Sequence, residues 1–339
     1  MTTSFEGPIC ILGTPISGTT WVGKIVDSHP RMRYRHEPDG GGSRNHVAIH
    51  AAPLHGSPNA HRMRGFLDEL PRWRTPKVCG KQPVLPKAYL PGWRGGVHHA
   101  SIQFSRLASV LVLEPVKPLT TQPRVGWKSI ESTGRARLIA SADPTVRVIF
   151  VARHTCGQID STLRGESGER FTDEGSAVDS WGIFEYLLET EPARRRGLTM
   201  DSFRGTGVEE RLALRWLLFN EKAIEELEEL QGRSDASVVR YEDLCAAPLT
   251  TARSLLDFAS LDWDEAVERF LWESTGSDNR RYHKRLSRFH EGSYALAAAS
   301  WSGARRSHTG GGERKHARRP VYGTRTRRSE RWTCRMFHR

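Results

Sequence analysis

The sequence predicts an α/β protein built as a three-layer sandwich, with a central, mainly parallel sheet covered by helices on both faces. Three observations carry this. Residues 146–152 are β-branched and almost wholly apolar, the composition of a strand buried on both sides. Residues 8–12 form a second short apolar run that passes through Gly13 and a turn into Trp21, Ile25 and Val26 at helical spacing. Amphipathic stretches of helical length lie between and beyond these runs, and in sheets of this kind ligands gather at the carboxyl ends of the strands.

Taken in chain order, the first helix stops at His29-Pro30, because a proline rejects helical backbone in the residue before it. Residues 40–96 are rich in Gly, Pro, His and Arg and read as an irregular insertion of long loops with one helical patch, 64–70. Residues 125–128 form a strand, followed by a helix over 131–140 that Ser129 or a neighbour caps. After the strand 146–152, residues 153–164 turn into a helix. Helices follow at 180–188 and 208–230, the longer one aligning Leu212, Trp216, Phe219, Ala223 and Leu227 on one stripe. Residues 237–241 give a further strand. Pro248 then opens a helix with Leu255, Leu256 and Phe258, since its missing amide costs nothing at the first helical position. These elements make residues 1–302 one domain.

From residue 303 the periodicity is lost, and the composition cannot bury enough apolar surface to order itself, so 303–339 reads as a disordered basic tail. The formal charge of the chain is +12, yet this tail holds 12 of the 51 basic residues and only 2 of the 39 acidic ones. The body is therefore close to neutral and argues against a nucleic-acid binder, leaving at most weak contacts through the tail. No run of eighteen uncharged apolar residues predicts a membrane span, and the start lacks the basic flank of a secretory signal, so a cytoplasmic location is expected. The five cysteines stand singly, without the spacing of a metal site or a disulfide framework.

Two segments bear on anion binding. The loop Gly13-Thr14-Pro15-Ile16-Ser17-Gly18-Thr19-Thr20-Trp21 lies between a strand and a helix, where successive amides, a helix start and two threonine hydroxyls converge on one volume. Gly13 and Gly18 have the spacing of a P-loop, so the sandwich is P-loop-like, but Thr19 stands where the phosphate lysine belongs. That disfavours an ATP or GTP hydrolase. On this segment alone, a plain helix cap accounts for the same residues. The second segment is Arg153 at a strand end, with Ser161 eight residues on: a rigid fork of donors and a hydroxyl that suit a phosphate, or else a solvated arginine.

The loop Pro15–Trp21 resembles the 5′-phosphosulfate loop of the sulfotransferases that use 3′-phosphoadenylyl sulfate. The run ending Val151-Ala152-Arg153, with Ser161, is similar to that family's 3′-phosphate motif, and Arg240-Tyr241-Glu242-Asp243-Leu244 to a segment of its bacterial and tyrosylprotein-modifying members. The resemblance implies Pro15, Ile16, Ser17, Gly18, Thr19, Thr20, Trp21, Arg153 and Ser161 as donor-binding residues. It also implies 3′-phosphoadenylyl sulfate (PAPS) as donor, 3′,5′-adenosine bisphosphate (PAP) as product, and no metal. Ile16 departs from the family, which usually places Lys or Arg there; Lys24, two turns along, is no obvious substitute. Loss of that charge removes a contact where transfer develops charge, so activity is expected to be reduced.

The same resemblance assigns the chemistry. Cytosolic animal members carry a histidine two residues after a strand-end lysine; here Lys128 is followed by Ile130 at that place. The tyrosylprotein branch uses a glutamate eight residues beyond a His-Pro, which is Glu37 here. Glu37 is therefore the expected general base, with His36 as rival, and Lys128 the residue expected to steady the sulfuryl group. From the residues alone, Glu37 serves equally as an ion-pair partner of Arg33 or Arg35. Arg280, Arg281, Lys284 and Arg285 are candidates for a late phosphate loop; Trp181 could stack on a ligand, and Trp216 reads as core. The predicted function is transfer of a sulfuryl group to a hydroxyl or amine acceptor. The alternatives are a nucleotide kinase or ATP hydrolase of related fold, and a non-catalytic nucleotide- or anion-binding protein.

Overall fold

Five parallel strands form one sheet in the order β2-β3-β1-β4-β5, where β1 is Ile9–Leu12, β2 Met32–His36, β3 Arg124–Ser129, β4 Arg147–Ala152 and β5 Ala236–Arg240. The computed structural model describes residues 7–39, 58–90, 92–108, 122–167, 178, 180–231 and 235–275. All belong to the first of two compact units, Met1–Leu286; the second, Ser287–Arg339, and with it the expected tail, lies outside the described residues.

The helices are α1 (Thr19–Ser28), α2 (Pro58–Glu69), α3 (Pro76–Cys79), α4 (Trp93–Ala108), α5 (Ala136–Ala142), α6 (Thr155–Ser167), α7 (Trp181–Leu188), α8 (Glu191–Arg195), α9 (Met200–Arg204), α10 (Val208–Gln231), α11 (Tyr241–Ala246), α12 (Pro248–Phe258) and α13 (Glu265–Thr275). Side chains alternate between the two faces of a strand. Ile9 and Ile11 of β1 accordingly pack with Val22 and Ile25 of α1, Leu255 of α12 and Phe270 of α13. Cys10 and Leu12 join Phe66 of α2, Ile139 of α5 and Leu227 of α10 on the other side. Helices on both faces make the predicted three layers. All four β1 side chains are fully buried, each worth roughly 1.5–3 kcal/mol for a side chain of this size, which is why the central strand reads as an unbroken apolar run.

Register sets the site. Leu12 lies opposite Ser129 and Phe150, His36 opposite Lys128, and Ala152 opposite Arg240. Gly13, Glu37, Arg153 and Tyr241 therefore all sit one residue past the end of their strands, at one rim.

The sequence reading needs four corrections. β2 was not anticipated, because Arg33 and Arg35 interrupt Met32, Tyr34 and His36 where an apolar strand would continue; both arginines are nevertheless buried. Arg35 spends its charge on carbonyls, donating to Pro71 O at 2.9 Å and Tyr34 O at 3.2 Å. The described parts of 40–96 are largely helical: the patch at 64–70 belongs to α2, whose buried Ala60, Met63, Phe66 and Leu67 keep helical spacing among exposed Arg and His. The helix expected over 131–140 begins only at Ala136, since the Ser129 hydroxyl accepts from the Ser132 amide at 2.8 Å and closes a turn instead. Tyr241 starts α11 and does not end β5.

Candidate active site

The loop after β1 is drawn tight at Gly13. A Cβ there would stand 2.6 Å from Thr19 Cγ2 and 2.7 Å from both Ser17 Oγ and Val151 O, so only glycine fits. The chain then passes through left-handed backbone at Ile16 (φ 67°) and Gly18 (φ 97°). Gly18 is the N-cap of α1, and no side chain caps that end or places an acid in its first turn. The amides that open α1 thus receive no oxygen from a capping side chain. Ser17 is fully buried, and among the described residues its hydroxyl has no hydrogen-bond partner. A buried hydroxyl left in this way suits a group rich in acceptor oxygens.

Three side chains hold this loop from outside. Thr133 Oγ1 donates to Gly13 O at 2.8 Å, Gln158 Nε2 to Pro15 O at 2.7 Å, and Arg153 Nη1 to Ile16 O at 2.8 Å. Thr14 Oγ1 in turn donates to Gln158 Oε1 at 3.0 Å. Arg153 Nη2 reaches Ser161 Oγ at 3.1 Å, which also accepts from Arg164 Nη2 at 3.3 Å. The Arg153 guanidinium lies 4.7 Å from the centre of the Tyr241 ring, and that same ring blocks Gly18, where a Cβ would come within 2.3 Å of Tyr241 Cδ2. Trp216 Nε1 donates to Arg153 O at 3.0 Å, so this core tryptophan also fixes the backbone of the arginine. Trp181, half-buried, lies under the Arg211 guanidinium at 5.0 Å. The loop and the Arg153–Ser161 pair thus form one continuous basic and hydroxylic wall.

The second half of the site joins β2 to β3. Glu37 takes left-handed backbone (φ 46°), its amide donates to Lys128 O at 2.9 Å, and its carboxylate forms an ion pair with the Lys128 ammonium. The reading of Glu37 as partner of Arg33 or Arg35 gives way to this pair. Lys128 is buried while Glu37 keeps partial exposure, so the carboxylate is the member an incoming molecule meets first. Burial lowers the Lys128 pKa from the ordinary lysine value, and the neighbouring Glu37 and Asp39 charges oppose that shift. His36 Nε2 stands 3.9 Å from Glu37 Oε1, and His36 Nδ1 shares a 3.2 Å hydrogen bond with Tyr34 OH. Burial, then the Lys128, Lys81, Lys24 and Lys77 charges, push its pKa down to about 2. His36 is therefore neutral across the physiological range.

Lys24 does not replace the missing loop cation, because its ammonium donates to Asp27 Oδ2 at 2.6 Å and Pro83 O at 3.0 Å, toward the far end of α1. Arg280, Arg281, Lys284 and Arg285 lie outside the described residues. Among the described residues no group of three His, Cys, Asp or Glu could hold a metal ion, and no helix is long and apolar enough to cross a membrane. Sequence reasoning passed over Thr133, Gln158 and Arg164, and it quoted Tyr241 in a segment without giving it a place in the site. Arg164 left a signal, one helical turn from Ser161; Thr133 and Gln158 depend on which loops meet.

No protein-family model matches the chain, and no curated protein does. Among solved structures it is similar to the sulfotransferase domain of the curacin biosynthetic pathway, at 16% identity over 78% of this chain and 77% of that one, with a TM-score of 0.40. The sulfotransferase domain of the Synechococcus PCC 7002 olefin synthase gives 16% over 79% and 78%, TM-score 0.36, and sulfotransferase STF9 of Mycobacterium avium 14% over 88% and 76%, TM-score 0.38. Likeness at these values transfers no residue role to this chain.

Proposed function

We propose that this protein transfers a sulfuryl group from 3′-phosphoadenylyl sulfate to a hydroxyl or amine acceptor. The observation that carries the reading is the 2.8 Å bond from Arg153 to the carbonyl of Ile16, which joins two anion-suited segments 137 residues apart into one wall. Ser17, Thr19 and the first amides of α1 suit the 5′ end of the donor, and Arg153 with Ser161 suits its 3′-phosphate. The buried Ser17 hydroxyl, unpartnered among the described residues, is the local sign of fit. When bound, the donor supplies the activated sulfuryl group.

The remaining work falls to side chains. Glu37 accepts the proton of the acceptor and therefore has to leave Lys128 as the acceptor enters; Lys128 then offers its charge to the developing anion. His36, held neutral, takes no proton at neutral pH. Ile16 supplies a carbonyl to Arg153 but no charge to the donor, so turnover is expected to be slow.

Isothermal titration with 3′,5′-adenosine bisphosphate tests the reading: saturable binding is expected, and no heat at millimolar nucleotide would end it. Glu37→Gln should keep that affinity while lowering transfer on the order of 10²-fold or more. Undiminished transfer in this variant would place the base elsewhere.

A further inference from the structure

Asp39 lies two residues beyond Glu37 and is buried. One carboxylate oxygen, Oδ2, accepts from Ser129 Oγ at 2.6 Å and from Ser132 Oγ at 2.5 Å. Arg135 Nη1 donates to Ser132 Oγ at 3.3 Å, and the Ser132 amide donates to Ser129 Oγ at 2.8 Å. The other oxygen, Oδ1, is buried and has no hydrogen-bond partner among the described residues. An interior carboxylate satisfied on one side only is unfavourable. The two serines could turn to backbone oxygens or water without it, so packing alone gives no reason for an acid here.

The placement gives one. Ser129 follows Lys128 directly, so Asp39 grips the loop leaving β3 while Glu37 grips the strand end that carries the lysine. Left-handed backbone at a glutamate costs free energy and persists only where its surroundings hold it. We propose that Asp39 is a positioning residue that bolts the turn carrying Glu37 to the loop following Lys128 and supplies a second negative charge to that lysine. Its mechanistic meaning rests on the transfer reading above; the contacts do not.

The charged and titratable groups around Lys128 are Glu37 and His36 at the end of β2, Asp39 beyond it, and Lys77 of α3. Cys10 and Arg135 face Asp39, and Glu131 faces Arg135. Burial disfavours the ammonium, as does Lys77, and the Glu37 and Asp39 carboxylates oppose them. Neutralising Asp39 should therefore make Lys128 lose its proton at lower pH, an effect that a purely structural bolt would not produce.

The test is an NMR titration of lysine side-chain ammonium signals on the full chain, with Lys128→Arg identifying the resonance. In Asp39→Asn the Lys128 midpoint should fall by about one pH unit, while affinity for 3′,5′-adenosine bisphosphate stays that of the wild type. An unchanged midpoint in the folded variant overturns the proposal. If Asp39→Asn does not fold, Asp39→Ser takes its place: it removes the charge while keeping a hydroxyl for Ser129 and Ser132, and the midpoint should again fall, an unchanged value again overturning the proposal. Wild-type protein that fails to bind the nucleotide would defeat the transfer reading and leave this titration to be judged by itself.

Discussion

Ile16 is the residue where local preference and fold disagree most. A β-branched side chain at φ 67° is a steric outlier, held by the bond its carbonyl accepts from Arg153. Ile16→Asn keeps that carbonyl and tolerates left-handed backbone, so it should raise stability by about 1 kcal/mol in urea denaturation without loss of nucleotide affinity. A fall in stability would mean that the half-buried Ile16 side chain contributes more by packing than it costs in strain. His36 makes a second prediction. Unfolded, its imidazole titrates near 6.5; folded, near 2, so between these values only the unfolded chain takes up the proton and stability falls as the pH drops below 6.5. The slope from this group is about 1.4 kcal/mol per pH unit. His36→Asn should flatten the loss between pH 6.5 and 5.5, measured by urea midpoints, and an unaltered slope would show that His36 is not held neutral.

At the scale of elements, the site depends on the loops leaving the neighbouring strands β2, β3, β1 and β4, and on the helix start that follows β1. Gly18 begins α1 in left-handed backbone against the face of Tyr241, the ring that also carries Arg153. Gly18→Ala adds backbone strain and pushes that ring, so it should cost more than about 1 kcal/mol and weaken nucleotide binding together with stability. Intact binding in a destabilised variant would uncouple Tyr241 from the arginine. Strands β1 and β4 were legible because unbroken apolar runs bounded by turn residues read as strands buried on both faces. β2 was not, because its two arginines are buried, Arg35 on carbonyls and Arg33 over the Tyr89 ring, and such partners leave no trace in local spacing. Asp39 was equally silent: its importance lies in two serines ninety residues away.

For the whole molecule, the alternation of strands and helices was sufficient to foresee the sandwich, while strand order decided which residues meet. Placing β1 between β3 and β4 brings the loop to Arg153 on one side and to Thr133 on the other. Placing β2 beside β3 brings Glu37 to Lys128. Neither adjacency can be read from one chain, although every participating residue type was visible in it. In the proposed function, the β1 loop and Arg153 hold opposite ends of one nucleotide. Calorimetric affinities for 3′,5′-adenosine bisphosphate and for adenosine 5′-monophosphate, measured on wild type and on Arg153→Ala, test it most directly. Wild type should prefer the bisphosphate by roughly 10- to 100-fold, the worth of a charge-assisted phosphate contact, and Arg153→Ala should bind both nucleotides alike. A preference that survives in the variant, or none in the wild type, would contradict the claim.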